Sequence, residues 1–179
     1  RGGGAGVPPV AQTFADHEAV VLPSGSCAGS VRHQHGIIAR RSGDADLVAA
    51  VDRHGPRAYE LSEFLVDVLG VTDVGASFPH AVAYHPTCHS LRMLGVGDRP
   101  RRLLEAVRGL ELVDLPQERE CCGFGGTFAV KNADVSAAMG QDKAAHAVAS
   151  GAEVLVAGDS SCLMQIGGIL SRQGSPVRT

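Results

Sequence analysis

The chain has 179 residues, 44% of them apolar, enough for one domain core or two small ones. Its formal net charge is −3, from 16 Lys and Arg against 19 Asp and Glu, so no basic patch dominates and nucleic acid is excluded as the expected partner. Aromatic content of 4% with no Trp removes stacking platforms, while 23 glycines indicate many tight loops.

No run approaches the ~20 apolar residues that span a bilayer, so any membrane contact would be peripheral. Arg1-Gly2-Gly3-Gly4-Ala5-Gly6 lacks an apolar signal core, and Arg1 in place of Met reads as the start of a piece of a longer chain. Five cysteines, an odd number, point to a reducing cytoplasm, where cysteines more often bind metals or do redox work than form structural disulfides.

Residues 1–12 are rich in Gly and Pro, without periodicity, and read as loop or disorder. Glu18 to Pro23 carries a short apolar run expected as a buried strand. Ser24 to Cys27 turns out of it, and Ala28 to Arg40 suits a helix that ends at the polar break 40–44. Leu47, Val48 and Val51 have helical spacing up to His54-Gly55-Pro56. Leu61, Phe64, Leu65, Val68 and Leu69 form an i, i+3, i+4, i+7, i+8 stripe stopped by Gly70.

His80 to His85 reads as a strand running into Pro86-Thr87-Cys88-His89, with a short helix on to Gly95. Pro100 suits the first turn of a helix carrying Leu103, Leu104 and Val107, and Glu111 to Leu115 is the next strand. Asn132 is placed to N-cap a helix to about Ala149, with Gly151 as its stop. Glu153 to Ala157 is a strand, followed by Gly158-Asp159-Ser160-Ser161-Cys162 and a last helix. Strands, loops and helices alternate, so the expected class is α/β with a partly parallel sheet.

Two stretches superimpose without a gap, Glu18 to Cys27 and Glu153 to Cys162. Each runs Glu, an apolar stretch, a small turn and Ser-Cys, delivering a cysteine from the loop at a strand end, the edge where ligands bind in open parallel sheets. Residues 1–44 are therefore read as the C-terminal remnant of a first repeat, and 45–179 as linker helices plus a complete second repeat.

The chemistry centres on Cys121-Cys122-Gly123-Phe124-Gly125-Gly126. Adjacent side chains point in different directions, so vicinal cysteines rarely serve one packed face. The plainer alternatives are a vicinal disulfide or two buried thiols beside a glycine turn. The sharper one turns both sulfurs to a metal centre, the glycines leaving room for it. Cys88 lies 33 positions before Cys121 and Cys162 lies 40 after Cys122, so the four form a site only in three dimensions, and the Cys-x2-Cys pairs of zinc ribbons are absent. Four thiolates from three loops suit an iron–sulfur cluster or a tetrahedral zinc, and spacing does not choose. His85 and His89 flank Cys88 as candidate extra ligands or donors to cluster sulfur, with solvated loop histidines as the alternative. Asp159 stands three before Cys162 as Ser24 stands before Cys27, and is expected to cap the final helix rather than substitute for a ligand. Lys131 is a candidate for favouring a more negative, reduced centre.

Together these stretches resemble the cysteine-rich CCG domain family, which carries a Cys, then Cys-Cys-Gly some thirty residues on, then a closing Cys-x-x-Cys. The resemblance covers about residues 14–179 and is nearest to the family's lactate-utilisation branch, through Tyr59 to Leu65, His85 to Arg92, Cys121 to Val130 and Gly158 to Met164. It implies an iron–sulfur oxidoreductase subunit, working with two other lactate-utilisation proteins to oxidise L-lactate to pyruvate. Cys88, Cys121, Cys122 and Cys162 fall on the family's cluster ligands, which implies a [4Fe–4S] type of centre, with electron transfer rather than hydride chemistry on this chain. Related subunits serve glycolate or glycerol-3-phosphate oxidation, and the rival from another class is a zinc-stabilised interaction module. The sequence departs from the family where Asp159-x-x-Cys162 replaces the closing Cys-x-x-Cys. It also lacks the early cysteines of the first repeat, leaving Cys27 an orphan ligand, and opens on glycines where the family would place a helix.

Overall fold

The computed structural model describes residues 6–179 and is a mixed assembly of helices and parallel strands. Helix α1 (Val7–Thr13) and strand β1 (Val20–Leu22) lead into helix α2 (Gly25–Gly29), a π-helical turn (Ser30–Gln34) and helix α3 (His35–Ser42). Helix α4 (Ala45–His54), strand β2 (Ala58–Glu60) and helix α5 (Leu61–Glu63), widened into a second π-turn over Phe64–Val68, complete the first part. Strand β3 (Ala81–His85), a third π-turn (His89–Leu94), helix α6 (Arg99–Glu105) and strand β4 (Glu111–Val113) follow. Helices α7 (Thr127–Lys131) and α8 (Ala133–Ala149), strand β5 (Val154–Ala157) and helix α9 (Ser160–Arg172) end the chain.

Two parallel sheets organise these elements. β1 pairs with β2, Val20 opposite Ala58, and β3 lies between β4 and β5, with Val82 opposite both Leu112 and Val154. The strands before Cys88 and Cys162 are therefore neighbours in one sheet. His85, the last residue of β3, stands opposite Ala157, the last of β5. In a parallel sheet all carboxyl ends share one edge, so the loops after β3, β4 and β5 emerge side by side.

The three-stranded sheet is buried by α8 and α9 through Ala83, Leu115, Ala144, Ala147, Leu155, Ile166 and Leu170. Small residues on α8, Gly140 among them, let its backbone come close to α9, which a stripe of leucines would prevent. A second, smaller core joins Val7, Ala11, Ala39 and Val51.

That smaller core corrects the expectation of a loop over residues 1–12. From Val7 onward the chain is helical, while residues 1–5 lie outside the described residues. Pro8 and Pro9 sit in the first helical turn, where a missing N–H costs nothing. Buried Val7 and Ala11 hold the helix, and the His54 ring bonds the Ala11 carbonyl at 2.6 Å. So short an apolar stripe, two residues among glycines and prolines, gives no periodicity to read.

The helix expected from Ala28 begins earlier, at Gly25, with Ser24 as its N-cap accepting from the Cys27 N–H. Helix α7, ahead of Asn132, was not expected at all. Asn132 lies between α7 and α8 and makes no side-chain cap. Gly70, Gly95 and Gly151 do close their helices in the left-handed region, as expected of stop glycines. No described helix is long and apolar enough to cross a membrane.

Candidate metal centre

Each strand end contributes to one cavity of about 340 Å³. The loop after β3 supplies Cys88 and His89, the loop after β4 supplies Cys121, Cys122, Phe124, Gly125 and Gly126, and the turn from β5 into α9 supplies Asp159, Ser161 and Cys162. All four cysteines singled out from sequence thus line one space, and no disulfide joins any of them. Cys122 and Cys162 lie closest together with His85, their ligand atoms all within 4.8 Å of one another. Cys88 and Cys121 line the same space half-buried, Cys121 in hydrogen-bond contact with both Cys88 and Cys122.

The Cys121-Cys122 turn is shaped by α8. Gly123 has φ +84°, and a Cβ built there would fall 2.4 Å from the Ser136 carbonyl oxygen. Ser136, itself buried, donates its hydroxyl to the Gly123 carbonyl at 2.7 Å. Gly123 is thus required both by conformation and by close approach of backbone to helix. Gly123→Ala should lose at least about 1–2 kcal/mol from backbone strain alone, with the clash added, read as a lower urea midpoint.

The thiols interact electrostatically. Hydrogen bonds from Cys122 and Cys88, aided by the Gly123 N–H at 3.4 Å, hold the Cys121 thiol well below its ordinary range. Cys88 and Cys122 are pushed up, first by donating to Cys121 and then by burial. Cys162 is drawn down to about 6, chiefly by Cys122 and also by the His85 imidazole. Its place in the first turn of α9 acts in the same direction, because free N–H groups there favour an anion. The four thiols thus titrate as one hydrogen-bonded group, and thiolate is the form that binds metals.

His85 is fully buried, and among the described residues neither ring nitrogen has a hydrogen-bond partner. Such an orphan lies beside the Cys122 and Cys162 sulfurs, and a centre bound through them would give it the partner it lacks. The donor set and the room both fit a metal or iron–sulfur centre.

Asp159 departs from its expected role. It occupies the N-cap position of α9, but its side chain caps nothing there. Its carboxylate instead accepts from the Ser24 hydroxyl, from the Ser26 N–H at 3.0 Å and hydroxyl at 2.7 Å, and from the Thr87 hydroxyl at 2.6 Å. Burial pushes the carboxyl up, but the hydrogen bonds from Ser24, Thr87 and Ser26 outweigh it and leave it below its ordinary value. Asp159 therefore serves the first turn of α2, a helix 133 positions away in sequence, and fastens the first part of the chain to the second. Both its oxygens are occupied, which leaves it a poor metal ligand.

Cys27 is exposed and lies outside the cavity lining. It sits between Gly25 and Gly29, which face Ser90 and Met93, so helical geometry turns its side chain to the opposite face. Lys131 is exposed at the end of α7 and is absent from the lining. The lysine beside the site is Lys143, which sequence reasoning missed. It is fully buried on α8, donates to the Gln117 carbonyl at 2.5 Å, and its ammonium lies within electrostatic reach of Cys122, Cys88 and Cys121. Nothing in its sequence context separates it from a solvated helix lysine.

Residues 82–167 match the cysteine-rich domain family, CCG. Over 167 residues the chain is 46% identical to lactate utilization protein A of Oceanobacillus iheyensis, an alignment covering 93% of this chain and 67% of that one. Identity to lactate utilization protein A of Geobacillus kaustophilus is 47%, with 69% of that protein covered. The Macrococcus caseolyticus protein of the same name is 45% identical, with 67% covered.

Proposed function

Because this chain belongs to the lactate utilization protein A family, within the cysteine-rich CCG domain proteins, we propose that it is the iron–sulfur electron-transfer subunit of a system oxidising L-lactate to pyruvate. Cys88, Cys121, Cys122 and Cys162 would hold the cluster, of the [4Fe–4S] type. Such a centre supplies one-electron chemistry, taking up electrons released by lactate oxidation and passing them on. The family relation supports a multi-protein system in which this chain works with the other two lactate-utilisation proteins.

The observation that carries the reading is the size of the sulfur-lined space. A single zinc, at about 2.3 Å from each sulfur, would draw its four ligands to within about 4 Å of one another. The cavity of about 340 Å³ lined by all four cysteines leaves room beside the sulfurs for a group larger than one ion. The chain's own residues hold the thiolates in place. α9 presents Cys162 in its first turn, α8 braces the Cys121-Cys122 turn through Ser136, and buried Lys143 offsets negative charge.

A structural zinc is the second reading, favoured by the compact group of His85, Cys122 and Cys162. Anaerobic purification followed by a visible spectrum, with iron, zinc and acid-labile sulfide per chain, separates the two. The expected result is broad visible absorption with about four irons and matching sulfide. A colourless protein with about one zinc and no sulfide would overturn the cluster.

The repeat division belongs to the same proposal, with residues 1–44 as a remnant of a first cysteine-rich repeat and 45–179 as linker helices plus a complete second one. It is supported by the matched units β1 to α2 and β5 to α9, each a strand, a short turn and a helix carrying cysteine in its first turn. The pairing of β2 with β1 joins residues 58–60 to the sheet of the first unit.

A further inference from the structure

Resting on the cluster reading above, we propose that His85 is a positioning residue of the centre, donating a ring N–H hydrogen bond to the Cys162 sulfur and so raising the reduction potential. The imidazole is fully buried at the end of β3, and one of its nitrogens lies within 4.8 Å of both the Cys122 and Cys162 sulfurs. Among the described residues neither nitrogen meets a nitrogen or oxygen partner. Burying an imidazole without any partner is costly, and an anionic sulfur on the cavity wall is the acceptor within reach.

The same orphaned nitrogens decide between donation and coordination. A histidine that ligates a metal through one nitrogen almost always donates its other N–H to a carbonyl or carboxylate, which fixes the ring. No such acceptor meets His85. Coordination would leave an N–H buried without an acceptor, whereas donation to sulfur leaves only a bare lone pair, the cheaper of the two. A donor to a thiolate stabilises electron density on sulfur, and hydrogen bonds to sulfur are one of the determinants of cluster potential. In the sequence His85 is one of two histidines flanking Cys88, and nothing there ranks it above His89. The structure does, by burying His85 completely and leaving His89 partly exposed on the cavity lining.

The test uses the anaerobically purified chain with His85→Leu and His85→Gln. His85→Leu should keep the parent's iron and sulfide but make reduction at least tenfold less favourable, a fall of about 59 mV for a one-electron couple. His85→Gln, which retains an N–H donor, should recover part of that shift. Pulsed electron paramagnetic resonance of the reduced parent should find an exchangeable proton coupling and no strong nitrogen coupling. An unchanged potential in His85→Leu would overturn the proposal. So would a strong nitrogen coupling in the parent, or loss of iron from both variants, either of which would make His85 a ligand. A parent chain without iron and sulfide would instead defeat the cluster reading itself, a result visible before either variant is made.

Discussion

Cys122→Ser should abolish or convert the metal centre, taking iron per chain from about four to a small fraction of that. Cys122 is 2% exposed and sits in the tightest part of the site with His85 and Cys162. A serine oxygen is shorter, harder and protonated at neutral pH, so it neither reaches nor suits a soft metal. Thiolates act together, and one gap in the ring admits solvent to the rest. Cys27→Ser is the matched control. Its side chain is exposed and faces away from the seam with Ser90 and Met93, so iron, sulfide and the visible spectrum should equal those of the parent. If Cys27→Ser strips iron as fully as Cys122→Ser, both the four-cysteine site and the repeat division are wrong.

Asp159→Ala should produce the largest loss of stability among single changes near the site, on the order of 3 kcal/mol. A helix cap alone would predict about 0.5–2 kcal/mol. The larger value follows from what the carboxylate does. Its removal leaves the Ser24 and Ser26 donors unpaired in a partly buried seam and the Thr87 donor in a fully buried one, and unmade buried bonds cost more than made ones contribute. Asp159→Asn, which keeps one carbonyl oxygen, should lose clearly less. Urea unfolding of both variants gives the comparison, and a loss under about 1 kcal/mol for Asp159→Ala would show that the seam does not depend on this group. The pH dependence has a fixed sign. Because the folded carboxyl lies below its ordinary value, its contribution is complete above the ordinary carboxylate range near 3.9 and disappears as pH falls through the folded value. Asp159→Ala should therefore be less acid-sensitive than the parent.

These two sites separate what can be read along the chain from what cannot. The cysteines were legible because vicinal sulfurs before a glycine turn have no ordinary packing use, and because each strand could be recognised by its apolar run. The sheet edge that gathers Cys88, Cys121, Cys122 and Cys162 follows from parallel strands, although the pairing of β3 with β5, Val82 opposite Val154, is a contact between distant segments. The stripe from Leu61 and the stop glycines 70, 95 and 151 were likewise local signals.

The rest depended on residues far apart in sequence. Asp159 has the local signature of a cap, yet its partners on α2 lie more than 130 positions earlier, and no window along the chain contains both. Helix α1 is weak by composition and is held by Val51 and His54 of α4, a tertiary contact that overrides propensity. Lys143 and His85 are ordinary residues by type. Only the packing of α8 against the loop after β4, and of β3 between its neighbours, buries them beside the sulfurs. The sequence by itself therefore determined the candidate cysteines, the strands that precede them and the α/β class, since these rest on side-chain chemistry and short-range periodicity. The tertiary structure decided which polar groups lose water around the sulfurs, because desolvation is a property of the assembled fold and not of any one segment.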